Sequence, residues 1–236
     1  MPEDFGHTGR MTFDEVDTYV SIVNRARKEY EGRVDVRVGM ECDYFPGYEK
    51  IVEKTIAENE FHHVLGSVHP QLMIWRRHFS KYGALVTQKN YFSHLADSAE
   101  TGLFDTLAHP DLIKNVTPDE WELERMLDHI RVQLDRIAAT GVAMELNTSG
   151  LQKTIPEMNP TPIILQEMNQ RGIPVTVGAD AHVPYRVAAD YETAYDILKA
   201  AGYTHVSIFL DRKRRQIEID AAKASLKAVG ASAGAR

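Results

Sequence analysis

The chain has 236 residues, of which 43% are hydrophobic, and this is enough for one large core. Its net charge of −7 and its pI near 5.8 argue against non-specific binding to nucleic acid, which needs a basic face. No apolar stretch approaches the roughly 18 residues of a membrane span, and the N-terminus lacks the layout of a signal peptide. A single cysteine, Cys42, excludes an internal disulfide. We therefore expect a cytoplasmic protein that binds neither membranes nor nucleic-acid polymers.

Strand and helix patterns alternate along the chain. After a loop at residues 1–10, the capping-box pattern of Thr12 and Glu15 predicts a helix that ends at Gly32. The predicted strands are residues 34–41, 63–68, 103–108, 142–146, 173–177 and 205–210, and a basic turn then leads to an extended segment at 217–219. The predicted helices lie around residues 51–56, 91–99, 117–141, 161–172 and 188–200. Residues 70–85 are predicted to form a long irregular loop beside the site, and residues 221–236 a flexible tail.

Side chains that bind metals follow four of these strands. The pattern of an apolar strand and then a ligand occurs at Glu41, His69 and His109, and again at Asp180 and His182. Residues i and i+2 of an extended chain project to one face, so the last two side chains can enter one pocket. Strands that alternate with helices are expected to be parallel, with their carboxyl ends at one edge. This polarity is typical of a (β/α) barrel or an open α/β sheet.

The five residues form a mixed set of carboxylates and imidazoles, which suits zinc, manganese or iron rather than a thiolate zinc site. Any one histidine at a strand end can instead be satisfied by a backbone carbonyl, but five ligands on successive strand ends favour metal binding. A bridge between two metals is the natural role for Glu41. Paired metals clamp a phosphoryl or acyl oxygen and lower the pKa of a bound water. We expect packing or surface roles for the other histidines, which are His7, His62, His63, His78, His94, His129 and His205.

Three cations follow the predicted ligand-bearing strands. Lys114 comes after His109, Lys153 comes after the fourth strand, and Arg186 comes after His182. Each is an ordinary surface charge on its own, but this position favours contact of at least one with a bound oxyanion. The sequence therefore predicts that these three residues are candidates for binding a phosphate.

The motifs resemble the polymerase-and-histidinol-phosphatase (PHP) superfamily of metal-dependent phosphoesterases, and within it the histidinol-phosphate phosphatase branch. The stretches that carry the resemblance are residues 2–5, 9–11, 39–44, 66–69, 102–105, 109–111, 145–150 and 178–182, so that it covers nearly all of residues 1–220. The resemblance implies a PHP-type domain over residues 1–220, with the fold of a distorted (β/α)7 TIM-like barrel and up to three divalent metals. It also implies that Glu41 bridges two metals, that His69 and His109 bind the second metal, that Asp180 binds the first, and that His182 binds the third.

The chain departs from the family pattern at its beginning. The family starts with a strand carrying His-x-His and a second strand ending in Asp-His, and neither motif occurs in this sequence. The expected fold is therefore a PHP barrel that lacks its first two strands. Either the recorded start is internal to a longer protein, or the chain is a reduced relative, and the first interpretation is favoured because the helix from Thr12 has no preceding strand to cover. The family also commonly has arginine near the positions of Lys114 and Gln152, and lysine is a point charge rather than a bidentate donor.

The leading hypothesis is a phosphatase that hydrolyses L-histidinol phosphate to L-histidinol and phosphate, a step of histidine biosynthesis. Its metals would be held by Glu41, His69, His109, Asp180 and His182, and a lysine or arginine would bind an oxygen of the phosphate. A catalytically inactive metal-binding relative or fragment is one alternative, and a PHP hydrolase of another phosphate ester is a second. The expected partner is a small phosphate monoester, and assembly into a homo-oligomer is left open.

Overall fold

The computed structural model describes residues 11–233, with side chains described through residue 226, so that His7 lies outside the described residues. Five parallel strands form the main sheet in the sequential order β1-β2-β3-β4-β5. These strands are β1 (Gly39–Asp43), β2 (His63–Ser67), β3 (Thr106–Leu107), β4 (Ala143–Asn147) and β5 (Val175–Gly178). An antiparallel hairpin of β6 (His205–Leu210) and β7 (Lys213–Glu218) forms a second sheet. Within the described residues, no ladder of hydrogen bonds closes the main sheet into a barrel.

Helices connect the parallel strands. The eight α-helices of the described part are α1 (Val16–Glu29), α2 (Glu49–Ala57), α3 (Met73–Phe79), α4 (Ala84–Glu100), α5 (Leu123–Thr140), α6 (Pro162–Gln170), α7 (Tyr191–Ala200) and α8 (Ile219–Ala233). None of these helices is long and apolar enough to cross a membrane. The predicted alternation of strands and helices is therefore confirmed, and the carboxyl ends of β1 to β5 meet at one edge of the sheet.

The longest helix, α5, shows how the sequence pattern builds the core. Met126, Ile130, Leu134 and Ile137 are spaced by three or four residues and are all buried. Burial of each such side chain contributes roughly 1.5–3 kcal/mol relative to an exposed position. Gly141 ends the helix with φ of 74°, in the left-handed region that glycine adopts at little cost.

The predicted start of α5 at Thr117 is wrong by six residues. Residues 118–120 form a separate 3-10 turn, and extended backbone at Trp121 and Glu122 divides this turn from the helix. The side-chain amide of Gln88 on α4 donates to the Thr117 hydroxyl and to the Glu120 carbonyl. These hydrogen bonds from α4 stabilise the turn as a unit separate from α5. They cannot be predicted from the sequence near Thr117, because Gln88 is about thirty residues away.

Residues 70–85 do not form the predicted loop. They contain α3 and the first two residues of α4, and Trp75 is 2% exposed. Trp75 donates from Nε1 to His94 Nδ1 at 3.2 Å and packs against Phe79. The basic residues between Trp75 and Phe79 interrupt the apolar pattern that would predict a helix. The sequence of this segment therefore resembles a solvated loop.

Two further boundaries differ from the prediction. Val34 and Val36 alternate like a strand, but β1 begins only at Gly39 and Val34 is 59% exposed. Pairing starts later because the first contact with the β2 segment is the hydrogen bond from His62 N to Val38 O. At the other end, the backbone is helical from Ile219 to Ala233, where a flexible tail is expected from residue 221. Buried Ile219 and the alanine-rich composition favour this helix.

His63 at the start of β2 gives a prediction on acid stability. Burial lowers the pKa of this imidazole from 6.5 to about 4, and the nearby Arg212 acts in the same direction against the charge of Asp105. The unfolded chain therefore binds the proton first, so stability that is complete above pH 6.5 is lost as the pH falls towards 4. We expect a loss of about 3 kcal/mol from this group.

The measurement is urea denaturation at pH 7 and pH 4.5 for the natural chain and for His63→Gln. Glutamine keeps a polar group near the Thr106 hydroxyl, which lies 2.8 Å from His63 Nε2, but it does not titrate. The variant should lose less stability between the two pH values. Equal losses in the two proteins would contradict the assignment.

Candidate metal centre

Three predicted ligands meet at the carboxyl edge of the sheet. Glu41 lies in β1, whereas His69 and His109 each lie two residues beyond the end of their strands, β2 and β3. Their ligand atoms all lie within 4.8 Å of one another. Glu41 Oε1 is 3.5 Å from His69 Nε2 and 3.3 Å from His109 Nε2. The parallel pairing of three neighbouring strands therefore places one carboxylate between two imidazoles.

The charges of this group favour an ionised carboxylate. Burial alone would raise the pKa of Glu41, but the hydrogen bond with His109 and the charges of His109 and His69 lower it to about 2. Burial would lower the pKa of the His109 imidazole, and the neighbouring carboxylates of Glu41, Glu145 and Asp180 instead raise it. Glu41 is thus an anion at the place where the two imidazoles face it, and its charge favours a cation there.

Asp43 is a residue of the candidate site that the sequence reasoning missed. Its Oδ1 makes a short hydrogen bond with Nδ1 of His69, which leaves Nε2 of that ring to face Glu41. A carboxylate on the far nitrogen of a histidine ligand fixes the tautomer and the orientation of the ring. The available signal was the spacing, because Asp43 follows Glu41 by two residues on β1 and shares its face.

The ring of His109 is held deep in the protein. The residue is 2% exposed and has φ of 30° in the left-handed region. Its carbonyl accepts a hydrogen bond from Tyr91 Oη at 2.9 Å, and its N–H donates to Glu145 Oε2 at 2.9 Å. Among the described residues, buried Nδ1 of His109 has no hydrogen-bond partner. Because Nε2 is the nitrogen that faces Glu41 at 3.3 Å, a metal between these two residues would be bound by Nε2 and not by Nδ1.

The other two predicted ligands lie at the same pocket but outside the group of three. Asp180 has φ of 45°, and its Oδ2 accepts a hydrogen bond from the Ser149 hydroxyl at 3.1 Å. His182 is 86% exposed in its side chain, and its Nδ1 lies 2.9 Å from the Asp180 carbonyl oxygen. The structure therefore brings both residues to the mouth of the pocket without joining them to Glu41.

These side chains line a cavity of about 550 Å³. All five predicted ligands are at its wall, together with Asp43 and Ser67. Among the described residues that line it, Lys153 is the one lysine or arginine. The remaining wall is largely apolar: Met11, Phe13, Val16, Met40, Tyr48, Ile51, Val52, Leu72 and Leu112 line it, and Thr12, Cys42, Thr55 and Gln71 complete it.

The residues present fit a divalent metal. One carboxylate and two imidazoles offer ligand atoms close enough for a single ion, and the Asp43 carboxylate orients the ring of His69. Oxygen and nitrogen donors of this kind suit zinc, and manganese or iron as well.

Comparison with known proteins places this geometry in a family. The family model described as the PHP domain matches residues 4–149, which is more than half of the chain. The chain belongs to the PHP domain family. A probable histidinol-phosphatase of Deinococcus radiodurans is 31% identical over 212 residues, which cover 86% of this chain and 78% of that protein. The histidinol-phosphatase of Bacillus subtilis is 25% identical over 206 residues, which cover 75% of this chain and 74% of that protein.

A solved structure supports the same fold. The crystal structure of histidinol phosphate phosphatase from Lactococcus lactis, in complex with zinc, L-histidinol and phosphate, matches with a TM-score of 0.72 at 17% identity. The match covers 89% of this chain and 82% of that one. At this level of identity the likeness concerns the fold of the PHP domain.

Two of the three predicted phosphate-binding cations are not at the cavity of this PHP domain. Lys114 is fully buried, and its Nζ donates to Asp111, Glu157 and the Met158 carbonyl at 3.0 to 3.2 Å. Lys114 therefore does not reach the cavity in this structure, because all three donors of its ammonium are used inside the protein.

Arg186 also contacts other side chains. It does not line the cavity, and its Nη2 donates to Asp190 at 2.9 Å. With the Gln152 amide oriented so that its oxygen faces the guanidinium, that oxygen accepts from Nη1 and Nε of Arg186 at 3.0 and 3.2 Å. Asp190 on the segment after β5 and Gln152 on the turn after β4 thus occupy this side chain, and of the three predicted cations only Lys153 lines the cavity.

The difference between the two lysines can be tested by stability. Lys114→Met would leave the carboxylate of Asp111, which is 0% exposed, without its cation, so we expect a loss of about 3–5 kcal/mol in the free energy of unfolding. Lys153→Met removes a lysine from the cavity wall and should change this free energy by less than about 0.5 kcal/mol. Urea denaturation measures both variants. Similar small losses for the two would contradict the buried role of Lys114.

Proposed function

We propose that the protein is a metal-dependent phosphomonoesterase that hydrolyses L-histidinol phosphate to L-histidinol and phosphate. The observation that carries the proposal is the group of Glu41, His69 and His109 at the carboxyl ends of three parallel strands, in a cavity with one lysine. Two relatives named as histidinol-phosphatases and a neighbour that holds zinc, L-histidinol and phosphate support the choice of substrate.

Glu41, His69 and His109 would hold a divalent metal, with zinc as the first choice. When bound, such an ion lowers the pKa of a water to about 7 and polarises a phosphoryl oxygen. Glu41 remains ionised at neutral pH because its pKa is held at about 2, so it is ready to bind a cation without first losing a proton. Asp43 orients the ring of His69, so that little rearrangement is needed at this side.

Asp180 and His182 are proposed to be ligands of further metals, since both line the same cavity. Lys153 is proposed to bind a phosphate oxygen through its ammonium group, as a point charge that accepts many orientations of the ester. The apolar wall from α1 and α2 would contact the organic part of the substrate, away from the charged edge of the sheet. The metal ligands and Lys153 thus suit the phosphate group, and the apolar wall suits the organic group of a small phosphate ester.

We also propose that the five-stranded sheet is part of a distorted (β/α)7 barrel of the PHP type. The support is the sequential order of parallel strands and the placement of the ligands at their carboxyl ends. The TM-score of 0.72 with the Lactococcus lactis structure also supports this proposal.

A metal-binding relative without turnover is the second candidate. The observation that favours it is that His182 is 86% exposed and lies outside the group of three ligands. Zinc stoichiometry together with hydrolysis of histidinol phosphate separates the two candidates. Turnover supports the phosphatase, whereas tight binding of one zinc with no turnover supports the inactive relative.

His69→Ala tests the metal requirement. The variant should lose the tightly bound metal and at least a hundredfold in hydrolysis of histidinol phosphate, because one of three close ligands and the partner of Asp43 are removed together. His205→Ala, at an exposed position on β6, is the matched control and should keep both properties. Full activity together with full metal content in His69→Ala would contradict the mechanism.

Lys153→Ala tests contact with the phosphate. Loss of a charge-assisted contact of about 1.5–3 kcal/mol should lower kcat/KM for histidinol phosphate about 10- to 100-fold and leave zinc content unchanged. Lys50→Ala, exposed on α2, serves as the control. Assays with a panel of other phosphate monoesters show whether the preference is for histidinol phosphate. Unchanged kcat/KM in Lys153→Ala would remove this residue from the proposed site.

A further inference from the structure

We infer that Glu145 is a positioning residue for the metal ligand His109, and that Gly178 is a glycine because the Glu145 carboxylate needs its space. The inference rests on the metal centre of the proposed function. It concerns how the protein holds one ligand in place, and it can be tested with metal alone, without substrate.

The need for positioning arises where the chain leaves β3. This strand is only two residues long, and its hydrogen bonds to β2 continue only to Ala108, whose N–H donates to the Gly66 carbonyl. At His109 the backbone turns, with φ of 30° in the left-handed region that a residue with a side chain rarely adopts. The N–H of His109 then donates to Glu145 Oε2 at 2.9 Å rather than to a strand. A side chain therefore holds the backbone at the point where the ladder stops.

Glu145 is itself fixed. It lies in β4, whose five residues are all buried, and it is 4% exposed. The same oxygen, Oε2, accepts a second hydrogen bond from Asn147 Nδ2 at 3.0 Å. Asn147 follows by two residues on the same face of the strand. Two donors thus share one oxygen of Glu145, and the buried carboxyl group has a defined orientation.

The neighbouring strand is shaped around this carboxylate. In the register of β4 with β5, Glu145 is opposite Thr176 and Asn147 is opposite Gly178. A Cβ on Gly178 would lie 1.8 Å from Glu145 Oε1 and 2.8 Å from its Cδ. Unlike Gly141, Gly178 has no positive φ that would require glycine. Its lack of a side chain is therefore explained by the space that Glu145 occupies.

Glu145 differs in role from the ligands. The group of close ligand atoms consists of Glu41, His69 and His109, and the contact of Glu145 with it is through the backbone of His109. It resembles the role of Asp43, which holds the ring of His69, except that it acts on the main chain. Both histidine ligands are thus held by a carboxylate from a strand next to their own.

The experiment measures zinc affinity of the full chain by competition with a chelator, and the visible absorption of the cobalt-substituted protein. Glu145→Ala should lower zinc affinity 10- to 100-fold and change the cobalt spectrum. Glu145→Gln, which keeps an oxygen for the His109 N–H, should restore the affinity to within about threefold of the natural chain. Thermal unfolding of the metal-free variants records any loss of folding separately.

Gly178→Ala tests the same contact from the other strand. It should lower zinc affinity by about tenfold while Glu145 is present, and it should add no further loss in the Glu145→Ala background. Glu167→Ala is the matched control. Glu167 is another buried carboxylate. It pairs with Arg131 on α5 and with Arg171, which directly follows α6, and its loss should lower stability without changing zinc affinity.

Three results would overturn the inference. Unchanged zinc affinity in Glu145→Ala shows that His109 needs no such support, and a Glu145→Gln variant as weak as the alanine variant shows that charge or direct ligation matters instead. Normal affinity in Gly178→Ala removes the role of the glycine, and this variant decides the matter if Glu145→Ala does not fold. Absence of phosphatase activity in the natural chain would refute the proposed substrate but would leave these zinc measurements valid.

Discussion

Parallel pairing of the first three strands is the constraint on which the metal centre depends. Glu41, His69 and His109 are far apart in the chain, and only the side-by-side ends of β1, β2 and β3 bring their ligand atoms within 4.8 Å. Because the strands end at the same edge, β1, β2 and β3 each contribute one candidate ligand to one pocket. The helices cover the sheet and also return the chain to the start of the next parallel strand. The site therefore depends on the order and direction of the strands.

The sequence predicted this part well because its signals are local. An apolar strand followed by a ligand is visible in a few residues, and Glu41, His69 and His109 lie together as expected. Lys114 shows where local signals end. Its burial is set by Glu157 and Met158, about forty residues further along the chain, and nothing near Lys114 in the sequence distinguishes it from a surface lysine. For the same reason Asp43 was missed, since its role depends on a histidine of the next strand.

The secondary structure follows the same division. The apolar spacing of α5 and the glycine that ends it were sufficient to predict most of the helix, whereas α3 was not predicted. The helical form of α3 depends on Trp75 packing against side chains of α4, including His94. A pattern of alternating valines before β1 gave the opposite error, because a strand also needs a partner along its length. Contacts distant in sequence decided each of these cases.

The buried ion pair of Lys114 also bears on the order in which parts of the protein fold during synthesis. Asp111, close to the ligand His109, is bound by Asn159 and by the Thr161 N–H as well as by Lys114. During synthesis the loop of His109 therefore leaves the ribosome well before the segment that fixes it. The three ligands are complete once residue 109 has emerged, but their native arrangement must wait for residues 157–161 to dock, so metal uptake is expected late in folding rather than as its nucleus.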